Sequence, residues 1–132
     1  VNDERGSMLP AFGGLLFVSF VLLTLAVDIA LLGAAYRDTA TLADVAAEAG
    51  AAMIDQRALH GGTTTVDPRA ATLEALATLT RAGVSNSETA VEVRGASVCV
   101  SIRKRHRTLG LRYLAVGEIV IDVSGCARPG TG

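Results

Sequence analysis

His60 and His106 are the two histidines of the chain, 46 residues apart. A metal centre or a general base needs further ligands or an orienting carboxylate at defined spacing, and neither histidine has a Cys or carboxylate at metal-ligand spacing. No C-x-x-C pair, no nucleophile elbow of the form G-x-S-x-G and no phosphate-cradling glycine loop occurs. His60, followed by Gly61-Gly62, reads as a solvated residue at a helix end. The expectation is a non-enzymatic protein that holds no metal and no cofactor and acts on no small-molecule substrate.

The strongest charge feature is Arg103-Lys104-Arg105-His106-Arg107, with Arg112 nearby. Up to Glu92 the chain has eleven acids and five bases; from Val93 onward it has two acids and seven bases. Such asymmetry suits an acidic partner, anionic lipid or nucleic acid. The plainer reading is a solvated loop that keeps one end of a sheet in water. Tyr113 is the one aromatic residue near this run, so the stacking platforms of a single-strand nucleic-acid module are missing and nucleic acid is not an expected partner. Cys99 and Cys126 are the two cysteines, compatible either with one disulfide in an oxidising compartment or with two partly buried thiols.

These residues must be carried by elements of two different kinds. Met8–Ala35 is a run of apolar residues in which Asp28 is the only charge, and Met8–Val27 supplies about 20 residues without one, the length of helix that crosses a hydrocarbon layer. The run is longer than the apolar region of a cleaved secretory signal. It reads as a transmembrane helix, with residues 1–7 as a leader or flank. Asp28 then falls where the helix leaves the hydrocarbon; it can pair with a partner group or lie among the headgroups, and the headgroups are the expectation. Ala26, Ala30, Gly33 and Ala34 form a face of small residues of the kind that lets helices approach closely in lipid. Arg5 before the span and Arg37 after it leave the positive-inside count nearly even, and the cysteines favour a cytoplasmic N-terminus with the rest of the chain outside the inner membrane.

Beyond the span, Tyr36–Leu59 continues as a helix in this reading. Asp38, Thr41, Asp44, Glu48 and Asp55 form its polar stripe, and Leu42, Val45, Ala46, Ala49 and Met53 form its apolar side. His60–Thr65 ends it. Asp67-Pro68 predicts an N-cap and first position for a second helix running to Ala82, with Leu73, Leu76, Ala77 and Thr80 as its apolar face and Gly83 just beyond its end. From Glu88 the period becomes two: Val91 and Val93, then Val98, Val100 and Ile102, then Ile119, Ile121 and Val123 predict three short strands. Arg94-Gly95-Ala96 is a tight connection, and Lys104 to about Val116 a longer loop. Cys99 and Cys126 then project from one side of the sheet. The fold class is α+β: a long N-terminal helix, transmembrane in its first half and amphipathic in its second, a second short helix and a small three-stranded antiparallel sheet. Residues 36–128 would form the extracytoplasmic domain, and 129–132 a tail.

Arg5-Gly6-Ser7, Pro10, the apolar run ending Ala26-Val27-Asp28, Tyr36-Arg37 and Ala40-Thr41-Leu42-Ala43-Asp44-Val45-Ala46-Ala47-Glu48-Ala49-Gly50-Ala51 resemble the TadE/TadG-like pseudopilins of the tight-adherence (Flp-type) pilus, a branch of the type IV pilus machinery. The resemblance covers roughly Glu4–Ile54. It implies a pilin-like architecture and prepilin-peptidase cleavage between Gly6 and Ser7. It also implies, as partners, other pilins or pseudopilins and the pilus secretion platform. Pilin-type members carry Glu at the fifth position beyond the cut, where this chain has Ala11. That departure matches the membrane-retained, TadG-like type better than a major pilin. The resemblance thus implies a minor pseudopilin or assembly component, and the alternative is a single-pass anchored binding domain that uses the basic residues 103–112.

Overall fold

The computed structural model describes residues 8–130. Three α-helices, α1 (Met8–Ala51), α2 (Gln56–His60) and α3 (Pro68–Arg81), precede a three-stranded sheet in the order β1 (Thr89–Arg94), β2 (Ser97–Arg107), β3 (Glu118–Ala127). The class is α+β with an antiparallel sheet. The chain divides into two compact units: α1 up to Ala34 together with His106–Ile119, and Ala35–Arg105 together with the chain from Val120.

In the second unit the core is built on alanines. Ala43, Ala46, Ala47 and Ala51 are buried in one cluster with Val66, Ala71, Ala75, Leu79, Val84, Val98, Val100 and Ile102, and Ile121 and Val123 of β3 are buried as well. Two helix faces therefore differ from expectation. On α1, Val45 is 47% exposed and Ala43-Ala46-Ala47-Gly50 face inward; on α3, Leu73 is 70% exposed and Ala71, Ala75 and Leu79 are buried. Hydrophobic pattern alone favours the larger side chains, but small ones bring backbones close enough to exclude water. A Cβ on Gly50 would lie 3.1 Å from the Ala71 carbonyl oxygen and 3.1 Å from Cγ1 of Val98. Asp38, Thr41, Asp44 and Glu48 are exposed, as a solvated stripe requires.

The first helix ends at Ala51 and not at Leu59. Ile54 bridges to Val66, with the Asp55 amide donating to the Thr65 carbonyl and the Asp67 amide to the Met53 carbonyl, both at 2.9 Å. This pairing takes the backbone out of the helix and leaves Asp55 as the N-cap of α2, its carboxylate accepting from the amides of Arg57 and Ala58. Asp67 caps α3 in the same way, accepting from Arg69 at 2.9 Å and Ala70 at 3.3 Å, and Pro68 occupies the first turn, where its missing N–H costs nothing. Gly83 ends the helix at φ +80°.

β1 and β2 form a hairpin, with Thr89 opposite Ile102, Val91 opposite Val100 and Arg94 opposite Ser97, closed by Gly95 at φ +61° and Ala96. β2 runs further than expected: Arg103–Arg107 are strand residues, not loop, and only Thr108–Gly117 connects β2 to β3. Cross-strand pairing overrides the low strand propensity of a basic run. The outward faces of β2 and β3 bring the cysteines together, and Cys99 and Cys126 form a disulfide with Cα atoms 4.1 Å apart and a sequence separation of 27. On the chain-entropy account, a loop of this size stabilises the fold by about 3–4 kcal/mol.

β3 presses against α1 through Gly125. A Cβ there would sit 2.8 Å from the carbonyl carbon of Ala43 and closer still to Oδ1 of Asp44, which explains a glycine in mid-strand. Two outcomes are expected in the purified chain. Gly125→Ala should lower stability by about 1–3 kcal/mol, the cost of overpacking against backbone, read as a drop in Tm by circular dichroism. Replacing Cys99 and Cys126 by Ser together should lower it by about 3–4 kcal/mol; a pair variant with unchanged Tm would remove the disulfide from the account of stability.

Candidate functional site

Asp28 is the one charged side chain in the first unit's helix, and it is 4% exposed. Its Oδ1 accepts from the Leu109 amide at 2.9 Å; its Oδ2 accepts from the amides of Gly110 and Leu111, each at 2.7 Å. Of the two settings expected for this acid, a partner group or the headgroups, the structure supplies a partner group within the chain itself, the loop amides. A carboxylate held away from water needs donors, and three successive part-buried loop amides supply them, so each set satisfies the other. Bonds to an ionised acceptor contribute about 1.5–3 kcal/mol each, more than neutral ones.

The loop is shaped to deliver those amides. The Thr108 amide donates to the Gly117 carbonyl and its hydroxyl to the Val116 carbonyl, which closes the neck. Leu111–Leu114 forms a 3-10 turn in which the Tyr113 amide donates to Gly110, and the amides of Ala115 and Val116 donate back to Arg112 and Leu111. Ala115 ends the turn at φ 65° and ψ 15°, a left-handed conformation that costs a non-glycine residue about 1–2 kcal/mol. Gly110 must be small for a different reason. A Cβ on it would lie 3.1 Å from Cβ of Thr24 and 3.2 Å from Oδ2 of Asp28, so glycine lets the loop backbone reach the carboxylate.

The other candidate residues are placed as follows. Ala26, Ala30, Gly33 and Ala34 are all exposed, and a Cβ on Gly33 would meet nothing within 4 Å. Gly6 and Ser7 lie outside the described residues, as do the last two residues of the tail. Arg103 forms an ion pair with Asp122 at 3.0 Å, with both side chains more than half exposed, a geometry that contributes about 0–1 kcal/mol. Lys104 and Arg105 are exposed, with no ion pair among the described residues. By strand alternation Arg103 and Arg105 share one face of β2 and Lys104 takes the other, so the basic run is split across the sheet. Arg107 is exposed, and Arg112 lies over the Tyr113 ring with its guanidinium carbon 5.3 Å from the centroid. His60 is exposed, its Nδ1 2.6 Å from the Gln56 carbonyl oxygen. Among the described residues no three His, Cys, Asp or Glu side chains gather as a metal site would require.

Sequence reasoning found Asp28 but not its partners. The available signal was a lone acid in an apolar run, which demands donors from somewhere, together with Leu109-Gly110-Leu111, a glycine between apolar residues in an otherwise basic stretch. No family model, curated protein or solved structure matches the chain.

Asp28→Asn keeps the shape but turns a donor group toward donors. It should speed amide hydrogen exchange at Leu109, Gly110 and Leu111 by about tenfold or more, equivalent to about 1.4 kcal/mol, and leave exchange at Val98–Ile102 unchanged. Equal acceleration at both places would mean that Asp28 supports the whole fold and not this loop.

Proposed function

We propose that the chain is a non-enzymatic minor pseudopilin or membrane-anchored assembly component of a tight-adherence pilus, retained in the inner membrane by the first part of α1. The observation that carries this reading is the combination in one helix of an apolar, uncovered stretch and an exposed small-residue face. An 18-residue stretch of α1 reaches a mean hydropathy of 2.7, with 6% of it buried, so the helix is long and apolar enough to cross a membrane. Phe12, Leu15, Phe17, Phe20 and Leu23 are each more than 60% exposed. Side chains of this kind need lipid or other helices around them. The face of Ala26, Ala30, Gly33 and Ala34 is suited to close packing against another pilin helix. The resemblance over Glu4–Ile54 supplies the pilus part of the reading, and Ala11 in place of Glu favours the retained type over the polymerising one.

A second reading, a single-pass anchored binding domain unrelated to pili, is favoured by the exposure of Lys104 and Arg105 without ion pairs among the described residues. The two separate by mutation. In cells, Ala30→Leu with Gly33→Leu should reduce co-purification of the chain with pilus components, while Tm stays unchanged. Unchanged co-purification, with binding lost instead on Lys104→Glu and Arg105→Glu, would favour the second reading.

A further inference from the structure

The connection Thr108–Gly117 presents to its surroundings a set of side chains poorly suited to water. Leu109 is 62% exposed, Tyr113 81% and Val116 41%. This segment is held to α1 by Asp28 and meets Thr24 through Gly110, so it runs alongside Thr24–Asp28. That is the end of the charge-free stretch Met8–Val27, whose roughly 20 residues match a hydrocarbon layer about 30 Å thick. The loop thus lies at the depth where a spanning helix passes from acyl chains to headgroups, the layer in which Tyr is enriched and Arg extends toward phosphate.

Two further observations point to lipid as the occupant. The loop's backbone is largely paired within itself and with Asp28: the amides of Leu109, Gly110 and Leu111 donate to the carboxylate, and those of Thr108, Tyr113, Ala115 and Val116 donate to carbonyls of the same loop, which lowers the cost for irregular backbone of leaving water. Its charge is also suited to anionic headgroups, since His106–Ile119 contains Arg107 and Arg112 against the single acid Glu118.

We propose that Thr108–Gly117 is an interfacial membrane-contact loop. Leu109, Tyr113 and Val116 insert at the headgroup–acyl boundary of the bilayer that α1 crosses, and Arg112 meets the phosphates of anionic lipid. The proposal rests on the membrane-spanning reading of α1. Asp28 is its positioning residue: it holds the loop at the depth of the boundary without touching lipid.

The chain has no Trp, so a single Trp is a clean reporter. The full chain is reconstituted in vesicles of phosphatidylcholine with a minority of phosphatidylglycerol, carrying bromine either near the headgroup or at mid-chain. Tyr113→Trp should emit at blue-shifted wavelengths and be quenched by the near-headgroup bromines, and Phe17→Trp by the mid-chain bromines. Adding Asp28→Asn should abolish the quenching of Tyr113→Trp and leave that of Phe17→Trp intact; an unaltered Tyr113→Trp signal would overturn the role given to Asp28. Emission from Tyr113→Trp at the wavelength of Trp in water, open to acrylamide while Phe17→Trp remains quenched, would overturn the loop proposal alone. Blue-shifted emission insensitive to lipid bromine would also overturn it, in favour of cover by a second copy. Loss of quenching at Phe17→Trp would instead overturn the spanning reading beneath it.

Discussion

Gly110 in the first unit and Gly125 in the second each meet α1 at a distance that leaves no comfortable room for a Cβ. This close approach to one helix is the constraint from which the remaining structure follows. In the first unit it brings three loop amides onto the Asp28 carboxylate. In the second it sets β3 against Ala43 and Asp44, beside a buried core rich in alanine and valine. A larger side chain at any of these contacts would separate backbones and readmit water to polar groups that have no other partners.

The second unit shows what such a core implies energetically. Its largest fully buried side chains are Leu79, Ile102, Val98 and Val100, and the α1 contribution is mostly methyl groups. Burial yields about 25 cal/mol per Å² of apolar surface, so alanines contribute little each. A small core of this kind depends more than usual on its covalent and capping devices. The Cys99–Cys126 bridge ties β2 to β3, while Asp55 and Asp67 satisfy helix-end amides on either side of the Ile54–Val66 bridge. Each device restricts the unfolded chain or satisfies an otherwise unpaired group, and neither needs a large side chain to bury.

In the first unit a single acid turns an otherwise featureless apolar helix into a scaffold. An apolar helix offers only shape to a neighbouring segment, and shape alone does not fix register. The carboxylate adds direction: three amides with distances between 2.7 and 2.9 Å fix where the loop sits along α1 and how far it stands off. The exposed Leu109 and Tyr113 follow from that placement, because a backbone turned inward to satisfy its amides carries side chains outward. The long apolar stretch and the placement of the loop thereby share one element.

The sequence by itself determined the elements whose cause is local. The apolar run that makes the first half of α1, the Asp67-Pro68 start of α3, the Gly83 stop and the period-two strands all follow from residue type and spacing. So did the outward side shared by Cys99 and Cys126, since alternation fixes it. What only the tertiary structure decided is wherever two distant segments compete for the same backbone or face. α1 stops at Ala51 because Ile54 finds Val66, a pairing that no helical period announces. Alanines and not Val45 or Leu73 turn inward, because close approach outweighs side-chain size. Arg103–Arg107 extend β2 past the end of its pairing with β1 at Ile102, where β3 is its remaining neighbour in the sheet. The partners of Asp28 lie more than 80 residues away in the chain. Spacing could mark that carboxylate as a group in need of donors, but only folding could supply them.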